Sequence, residues 1–423
     1  MKTIPFNLDK CKEITTHFPT PFYLYDEKAI VDNIHRLQKA FSWNKGFREY
    51  FAVKTTPNPH ILKLFKENNC GVECCSIAEL LLANACGFTD SDIMFTSNVT
   101  SLEEFRCARK LNGIINLDDI SHIEYMRKED GIPELICCRL TPDRPVTYEG
   151  KTVMNYEDSK FGFTKEQLIS GLTTLKQYGA KSFGIHTQFG CHRTEAKYFG
   201  QNASLFFQDI ADIYRITGIK PAFINLAGGI GISYQEGTPE PDIFEISKEI
   251  QTAYQNYLIP AGLEEIPLYL ELGIFMTGRY GYFVSTVLHV KETYRNFIGL
   301  DASTNSFMSP LRYNNYHEIT VLGKEGEGNF TSYDITGALC ENRDKFGIQR
   351  QLPKTYPGDI LVFHDAGAYS YCQATNFNGR LRPAELLLCA DNTIRQIRRA
   401  ETLNDYFTTL DYKIDTSLMD NEN

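Results

Sequence analysis

The sequence predicts a closed parallel (β/α)8 barrel followed by a mostly antiparallel β domain. Over the first two-thirds of the chain, short apolar runs alternate with longer segments of helical periodicity. There are about eight such runs, the number that closes a barrel. After about residue 281 the helical segments become rare and strand-like runs follow one another. We therefore expect residues 21–280 to form the barrel, and residues 1–20 with 281–423 to form the β domain.

The predicted barrel strands are almost continuously apolar, which is typical of strands covered on both faces. They are residues 49–53, 71–74, 93–96, 114–117, 135–140, 182–187, 223–227 and 267–272. The clearest helices, with apolar residues at i, i+3 and i+4, are 60–68, 76–86, 101–111, 165–178 and 242–258. In the β domain we expect strands at 281–290, 296–300, 317–322, 331–336, 359–364 and 385–389.

Composition excludes several classes of protein. The 423 residues carry a net charge of −10 and contain no long basic run, so a nucleic-acid-binding protein is not expected. The N-terminus turns polar at once and no window reaches ~18 apolar residues, which predicts a cytoplasmic protein without membrane contact. The 12 cysteines are interpreted as reduced thiols. His186, Cys191 and His192 match no structural zinc spacing, and we expect no metal.

The active site of such a barrel lies at the carboxyl ends of its strands. Lys54 follows the first predicted strand, Gln188 follows the sixth, the glycine-rich loop 228–231 follows the seventh, and Glu271 ends the eighth. These groups should therefore converge on one mouth.

Each of these groups has an ordinary interpretation, but together they predict pyridoxal phosphate. A lysine shielded from water at the end of an apolar strand can form a Schiff base. Backbone N–H groups of a glycine loop between a strand and a helix can bind a phosphate. A carboxylate such as Glu271, facing a pyridine nitrogen, would keep that nitrogen protonated.

The chain resembles the fold-type III pyridoxal-phosphate decarboxylases, which include the diaminopimelate, ornithine and arginine decarboxylases. The similarity extends from about residue 21 to 408 and is strongest to the diaminopimelate branch. Residues 52–54 resemble the cofactor-lysine motif, 271–273 resemble E-P-G-R, and 337–344 resemble G-P-x-C-E-S-x-D. Residues 367–369 resemble G-A-Y, and 376–383 resemble N-x-N-G-x-x-R-P. The resemblance implies an alanine-racemase-like barrel and an amino-acid carboxy-lyase.

The resemblance also implies roles for individual residues. Lys54 would carry the cofactor, and Glu271 would face its ring nitrogen. Cys340 would give a proton to the decarboxylated carbon, and Glu341 would contact substrate. In the family these two residues reach across a dimer interface, which implies a homodimer with shared active sites. The remaining cofactor contacts implied are Gln188, Gly228, Gly229, Gly231, Gly273 and Tyr369.

Three departures from the family pattern concern the pocket. Gln188 stands where the family has a ring-stacking histidine, and Cys191 stands where it has a phosphate-binding serine; His186, on the same strand face, is a partial substitute for that histidine. Ile274 and Ser309 replace arginines. An arginine is the usual partner of a distal carboxylate, and its loss costs on the order of 2–5 kcal/mol. Arg279, Arg312 and Tyr313 are therefore the candidate substrate-binding residues.

The sequence is compatible with several substrates. The leading prediction is a diamino-acid decarboxylase resembling diaminopimelate decarboxylase with an altered distal-carboxylate pocket. The alternatives are decarboxylation of ornithine, lysine or an N-acylated ornithine in siderophore or polyamine biosynthesis. An amino-acid racemase and a non-catalytic regulatory relative are further alternatives.

Overall fold

A computed structural model describes residues 2–142, 144, 146–149, 151–154, 157, 159–188, 190 and 192–416. The chain forms two compact units. One consists of Ile30–Ser233 and Pro239–Met276, and the other of Met1–Ala29, Tyr234–Thr238 and Thr277–Asn423. The predicted boundaries at 20/21 and 280/281 differ from these most clearly near the N-terminus, where residues 21–29 belong to the second unit.

The strands, in chain order, are β1 Phe22–Asp26, β2 Arg48–Ala52, β3 Gly71–Cys74, β4 Ile93–Ser97, β5 Ile114–Leu117, β6 Leu135–Arg139, β7 Val146–Tyr148, β8 Lys151–Met154, β9 Ser182–His186, β10 Phe223–Asn225, β11 Leu268–Leu270, β12 Gly281–Glu292, β13 Asn296–Leu300, β14 Ile319–Val321, β15 Phe330–Thr336, β16 Lys345–Pro353, β17 Ile360–Phe363, β18 Ala384–Leu388 and β19 Ile394–Arg398.

The α-helices are α1 Leu8–Thr15, α2 Glu27–Ala40, α3 Pro59–Glu67, α4 Ile77–Ala85, α5 Leu102–Lys110, α6 Ser121–Asp130, α7 Lys165–Gln177, α8 Ala196–Thr217, α9 Ile243–Tyr257, α10 Ile274–Thr277, α11 Ser309–Tyr313 and α12 Leu403–Phe407. None of the described helices combines the length and the apolar character that crossing a membrane requires.

The first unit is the predicted (β/α)8 barrel. Within the described part of the chain, its strands close in the order β10-β11-β2-β3-β4-β5-β6-β9, and every neighbouring pair is parallel. A helix follows each strand from β2 to β10 before the next barrel strand begins. The fold prediction is confirmed, because eight apolar strands with intervening helices can cover both faces of a parallel sheet only by closing it.

The barrel interior is layered. An apolar layer brings together Tyr50, Met94, Ile114, Cys137 and Phe223 from five different strands. Side chains alternate between the two faces of a strand, so residues two positions further along point inward again. Apart from Ala52, that next layer is polar, and its polar members, in chain order, are Glu73, Thr96, Asn116, Arg139, His186, Asn225 and Glu271. The chemistry of the barrel mouth therefore rests on an apolar floor.

The second unit is built on a mixed sheet. In the described residues it contains nine strands, with the path β16-β15-β13-β12-β1-β18-β19 and with β17 joining β12 to β14. Only the pairs β1–β18 and β13–β15 are parallel, so the sheet is mostly antiparallel, as predicted. The structure adds β1, β16 and β19 to the predicted strands. β16 contains charged and polar residues at four of its nine positions, Lys345, Gln349, Arg350 and Gln351, which weakens the apolar signal on which the prediction depends.

Candidate active site

Lys54 lies where the sequence predicted, in a 3-10 turn, Val53–Thr55, directly after β2. Its Nζ forms an ion pair and hydrogen bond with Oε2 of Glu73 on the neighbouring strand β3. The Lys54 side chain is 43% exposed, whereas that of Glu73 is 3% exposed. The expectation that Lys54 is shielded from water is therefore wrong for this chain. A buried carboxylate, rather than burial of the lysine itself, holds the amine in place.

Glu73 is the residue through which proton transfer to and from Lys54 can occur. Burial raises the pKa of Glu73 to about 7, with Lys54 opposing the shift and the nearby Glu271 adding to it. A carboxyl group that titrates near neutral pH can both accept and release a proton there.

Glu271 directly follows β11 and is almost fully buried. Its Oε1 accepts a 2.7 Å hydrogen bond from Asn225 Nδ2, and its Oε2 lies 3.2 Å from His186 Nε2. Burial alone would raise the pKa of Glu271, but His186, together with Lys54 and Asn225, holds it below the ordinary value. The site therefore presents an anionic carboxylate at the bottom of the mouth.

The glycine loop after β10 forms an anion-binding cradle. The backbone N–H groups of Gly228, Gly229 and Ile230 make no hydrogen bond to any described residue, whereas that of Gly231 donates to Arg193 O at 2.7 Å. Ala227 has φ 54° and Gly229 has φ 108°, so the chain turns through left-handed conformations here. Successive N–H groups in such a turn form a concave site for an anion. Gly231 thus closes the loop, and its N–H is not available to a phosphate.

Close backbone approaches explain why these positions are glycine. A Cβ on Gly228 would lie 2.4 Å from Glu271 O, and one on Gly231 would lie 2.8 Å from the carbonyl carbon of His192. A Cβ on Gly273, just after Glu271, would lie 2.2 Å from Thr55 Cγ2. Side chains at these three positions would push apart the turns that carry Lys54, Glu271 and the cradle.

Gln188 belongs to a charged chain across the ends of β5, β6 and β9. Its Oε1 accepts a 2.8 Å hydrogen bond from Arg139 Nη2, and Arg139 Nη1 pairs with Asp118 Oδ1 at 3.0 Å. The guanidinium also lies 4.3 Å from the ring centroid of Phe161. The amide of Gln188 is thereby fixed in orientation, which gives the position a defined geometry without a histidine.

His186, which the sequence offered as a partial substitute for the ring-stacking histidine, is directed at Glu271. Its Nε2 faces Glu271, and its Nδ1 is buried and lacks a hydrogen-bond partner among the described residues. Cys191, which stands at the position of the family's phosphate-binding serine, lies outside the described residues. No cluster of three or more potential metal ligands occurs in the part of the chain that is described.

In the second unit, the loop that carries Cys340 is pinned at several points. Asp344 is buried and accepts hydrogen bonds from the backbone N–H groups of Thr304 and Leu339, at 2.7 and 2.8 Å. The N–H of Cys340 donates to Asn378 Oδ1 at 2.8 Å. Cys340 itself is exposed, whereas the other described cysteines are buried or partly buried, and all of them are free thiols.

Glu341 lies beside Cys340 and is held by Arg343, whose Nε donates to Glu341 Oε1 at 2.6 Å. Tyr369 follows the tightly packed Gly367, where a Cβ would lie 2.0 Å from Thr277 O, and it has φ 53°. Arg279 lies in the 3-10 turn Gly278–Tyr280. These residues all belong to the second unit, whereas Lys54, Gln188, the glycines and Glu271 belong to the barrel.

Ser309 is fully engaged within the second unit. It is buried, accepts a 3.0 Å hydrogen bond from Asn315 Nδ2 and lies 2.7 Å from His317 Nε2. His317 Nδ1 donates to His364 O, which leaves Nε2 to accept from the serine hydroxyl. Burial lowers the pKa of His317 to about 3, so the ring is neutral.

Arg312 lies three residues beyond Ser309 on the short helix α11. Its guanidinium is 5.4 Å from the ring centroid of Tyr313 and forms no ion pair with any described residue. The Tyr313 hydroxyl accepts a 2.7 Å hydrogen bond from Gln373 Nε2. Among the described residues, the guanidinium of Arg312 therefore has no anionic partner, and the Tyr313 hydroxyl beside it is held by a hydrogen bond.

Sequence reasoning missed Glu73, Asn225 and Arg139. All three lie in the polar layer near strand ends, so the rule that identified Lys54 and Glu271, applied to every strand, would have found them. Asn378 was noticed only as part of a motif, because the loop it supports is 38 residues away along the chain.

The barrel mouth fits pyridoxal phosphate on three observations. It has a positioned amine on Lys54, three backbone N–H groups at residues 228–230 that have no hydrogen-bond partner among the described residues, and an anionic carboxylate on Glu271. These match an aldehyde, a phosphate and a protonated ring nitrogen, respectively.

Comparison with known proteins agrees with this chemistry. Residues 27–278 match the family described as pyridoxal-dependent decarboxylase, pyridoxal binding domain. The chain is 36% identical over 401 residues to protein TabA of Pseudomonas amygdali pv. tabaci, covering 93% of this chain and 92% of that protein. It is 29% identical over 396 residues to the diaminopimelate decarboxylase of Methanothermobacter thermautotrophicus, covering 93% and 92%.

Solved structures give the same result. The diaminopimelate decarboxylase of M. jannaschii superposes with a TM-score of 0.88 at 27% identity, covering 95% of this chain and 94% of that one. The Helicobacter pylori enzyme complexed with L-lysine gives a TM-score of 0.85 at 25% identity, covering 94% and 98%. With the barrel, the cradle and the lysine in place, this chain belongs to the pyridoxal-phosphate-dependent amino-acid decarboxylases, in the diaminopimelate decarboxylase branch.

Proposed function

We propose that this enzyme removes the α-carboxylate of a diamino acid and that its distal-carboxylate pocket differs from that of diaminopimelate decarboxylases. The observation that carries the proposal is the environment of Ser309. The hydroxyl is buried between Asn315 and the neutral His317, so this position offers no positive charge. Ile274 is likewise buried and uncharged. Two positions where the family pattern has arginine thus have no guanidinium.

A carboxylate at the far end of the substrate would instead be bound by Arg312, supported by Tyr313. Arg312 is exposed and has no carboxylate partner among the described residues, so its charge is available. Gln373 fixes the Tyr313 hydroxyl at 2.7 Å, which orients the ring beside that guanidinium. Arg279 is the second candidate for the same contact.

Bound pyridoxal phosphate supplies an aldehyde that bonds to amines and a ring that accepts the electrons of the breaking Cα–carboxylate bond. Lys54 provides the amine that anchors the cofactor, and Glu73 takes up and returns its proton. The N–H groups of Gly228 and Gly229 bind the phosphate, with Tyr369 as a further contact. Glu271 would keep the ring nitrogen protonated, and Gln188, held by Arg139, would be a further cofactor contact.

The proton that replaces carbon dioxide at Cα comes from the Cys340 thiol, and Glu341 contacts the substrate amine. We propose that both residues act in the site of a second copy of the chain, so that the functional unit is a homodimer. The exposure of Cys340 supports this assignment, because a thiol that serves another subunit must be accessible in a single chain.

The test is carbon dioxide release by the cofactor-loaded enzyme with meso-diaminopimelate, ornithine, lysine and N-acylated ornithine. Release from any of these, abolished by Lys54→Ala, supports the decarboxylase assignment. Turnover of meso-diaminopimelate with the efficiency of an unaltered pocket, together with no effect of Arg312→Met, contradicts the altered pocket.

Two alternatives have distinct outcomes. Decarboxylation of ornithine, lysine or N-acylated ornithine but not of meso-diaminopimelate indicates that the uncharged Ile274 and Ser309 reflect a substrate without a distal carboxylate. Racemised substrate without carbon dioxide, detected by chiral chromatography, indicates a racemase. Purified protein that binds no pyridoxal phosphate indicates a non-catalytic relative.

A further inference from the structure

His186, Asn225 and Glu271 form a row across three adjacent strand ends of the barrel. His186 is the last residue of β9 and pairs in register with Asn225 of β10, while β10 pairs with β11, which Glu271 follows. His186 is 1% exposed, Asn225 0% and Glu271 9%. The row is therefore built into the barrel and does not depend on flexible surface loops.

Each oxygen of Glu271 faces a different donor. Asn225 Nδ2 donates to Oε1 at 2.7 Å, and the backbone N–H of Ala227 donates to Asn225 Oδ1 at 2.8 Å, which fixes the orientation of the amide. The other oxygen, Oε2, lies 3.2 Å from His186 Nε2. Asn225 can orient the carboxylate but brings no charge, so a cation near Oε2 has to come from elsewhere.

The other ionisable groups around Glu271 either are not cations or are already paired with another residue. Glu73 and Glu49 are carboxyl groups whose pKa values are raised by burial, and Cys137 is a buried thiol, so none of the three brings a positive charge. Lys54 also acts electrostatically on Glu271, but its ammonium is paired with Glu73. A buried carboxylate without a paired cation tends to take up a proton instead. Among the described residues, the side chain of His186 makes its hydrogen-bond contact with Glu271 and with no other group.

We infer that His186 is a positioning residue that keeps Glu271 ionised and oriented toward the ring nitrogen of the cofactor. The inference rests on the proposed role of Glu271 and adds a residue for which the sequence suggested a different use. Nδ1 of His186 has no hydrogen-bond partner among the described residues, so the Nε2 contact with Glu271 is the one that holds the ring in place.

The test compares His186→Leu, which removes the donor, with His186→Gln, which keeps an amide N–H able to reach Oε2. The matched control is His122→Leu. His122 is a second buried histidine of the barrel with an unpartnered Nδ1, but its ring packs edge-on against Phe105. Thermal melting of each variant checks that it folds. Should the leucine variant fail to fold, His186→Asn, too short to reach Oε2, replaces it.

Two measurements are made on each protein. In the cofactor-free protein, the infrared band of the protonated carboxyl is followed against pH and assigned to residue 271 by its loss in Glu271→Gln. The dissociation constant of pyridoxal phosphate is then measured over the same pH range. Neither measurement requires turnover.

We expect His186→Leu to show a protonated Glu271 at pH values where the parent carboxyl is ionised. A hydrogen bond to a charged group is commonly worth a factor of ten or more, so cofactor binding should weaken about tenfold near neutral pH. It should recover as the pH rises and Glu271 ionises. His186→Gln should fall between the parent and the leucine variant, and His122→Leu should match the parent.

Unchanged titration of Glu271 in both His186 variants overturns the inference. So does weaker cofactor binding that is equal at every pH and is not rescued by glutamine, since that pattern indicates a merely structural role. If Glu271→Gln binds the cofactor and releases carbon dioxide like the parent, the proposed role of Glu271 fails, while the infrared result for His186 stands separately.

Discussion

The backbone N–H of Cys340 donates a 2.8 Å hydrogen bond to Asn378 Oδ1, which joins two sequence motifs that lie 38 residues apart. The Arg380 guanidinium strengthens the link by donating to Ala338 O at 3.3 Å. Asn378 has φ 57°, a left-handed conformation that asparagine and glycine tolerate better than most residues. The motif around Asn378 thus acts as a support for the loop that presents the proposed proton donor.

Asn378→Gly should impair catalysis through this loop. Glycine accepts the backbone conformation without strain but lacks the acceptor, so the change isolates one hydrogen bond worth about 1 kcal/mol. We expect kcat to fall about fivefold and alkylation of Cys340 by iodoacetamide, followed by peptide mass spectrometry, to accelerate. Asn378→Asp keeps the acceptor and should behave like the parent. Equal alkylation rates in all three proteins would contradict a supporting role for Asn378.

The shared active site predicts complementation between two inactive variants. Lys54→Ala and Cys340→Ala each remove one member of a site, and Cys340→Ala should lower kcat about 10²–10⁴-fold. If each site takes Lys54 from one chain and Cys340 from the other, half of the randomly mixed dimers contain one intact site. Denaturing and refolding the two variants together should then restore about one quarter of the parental activity. No recovery, with dimers confirmed by light scattering, would place both residues in the same chain's site.

Arg312→Met should change substrate preference selectively. A guanidinium–carboxylate contact removed from a binding site commonly costs on the order of 2–5 kcal/mol. KM for a substrate with a distal carboxylate should therefore rise at least about tenfold, with a smaller effect on kcat. KM for ornithine should stay nearly unchanged. Arg127→Met is the control, because that arginine lies at the surface of α6 and is paired with Glu124. An equal rise in KM for both substrate types would show that Arg312 does not bind the distal carboxylate.

The stability advantage of Glu49→Gln over the parent enzyme should grow as the pH rises. Glu49 is buried, its Oε1 accepts a 2.8 Å hydrogen bond from the Leu272 N–H, and its Oε2 has no partner among the described residues. Burial raises the pKa of Glu49 well above its ordinary value, although the Leu272 N–H opposes this and Glu271 adds to it. Glutamine keeps the acceptor and removes the ionisation.

The sign of this effect follows from proton linkage. Below the ordinary glutamate pKa the side chain is protonated in both the folded and the unfolded chain, so the two proteins should differ little. Above it the unfolded chain ionises while the folded chain still holds its proton, and the parent loses about 1.4 kcal/mol of unfolding free energy per pH unit relative to the variant. Urea unfolding from pH 4 to 8 measures the difference. Glu103→Gln, at an exposed helical position, should give no such trend.

The sequence alone determined the architecture and predicted the candidate residues of the site. Runs of apolar residues mark the barrel strands because strands covered on both faces have no polar side to present. The position of Lys54 after one strand and of Glu271 after another then implied proximity, because the ends of parallel strands in a closed barrel share one rim. The motif resemblance added the cofactor and the residues of the second domain.

Only the tertiary structure decided which polar groups pair with one another. Lys54 pairs with Glu73, 19 residues away, and Glu271 pairs with His186, 85 residues away. Such pairs depend on the stagger of neighbouring strands and on which face each residue occupies, and a linear pattern does not encode either. For the same reason the sequence suggested a shielded Lys54 and a ring-stacking His186. The structure instead gives an exposed amine held by one carboxylate and a histidine directed at another.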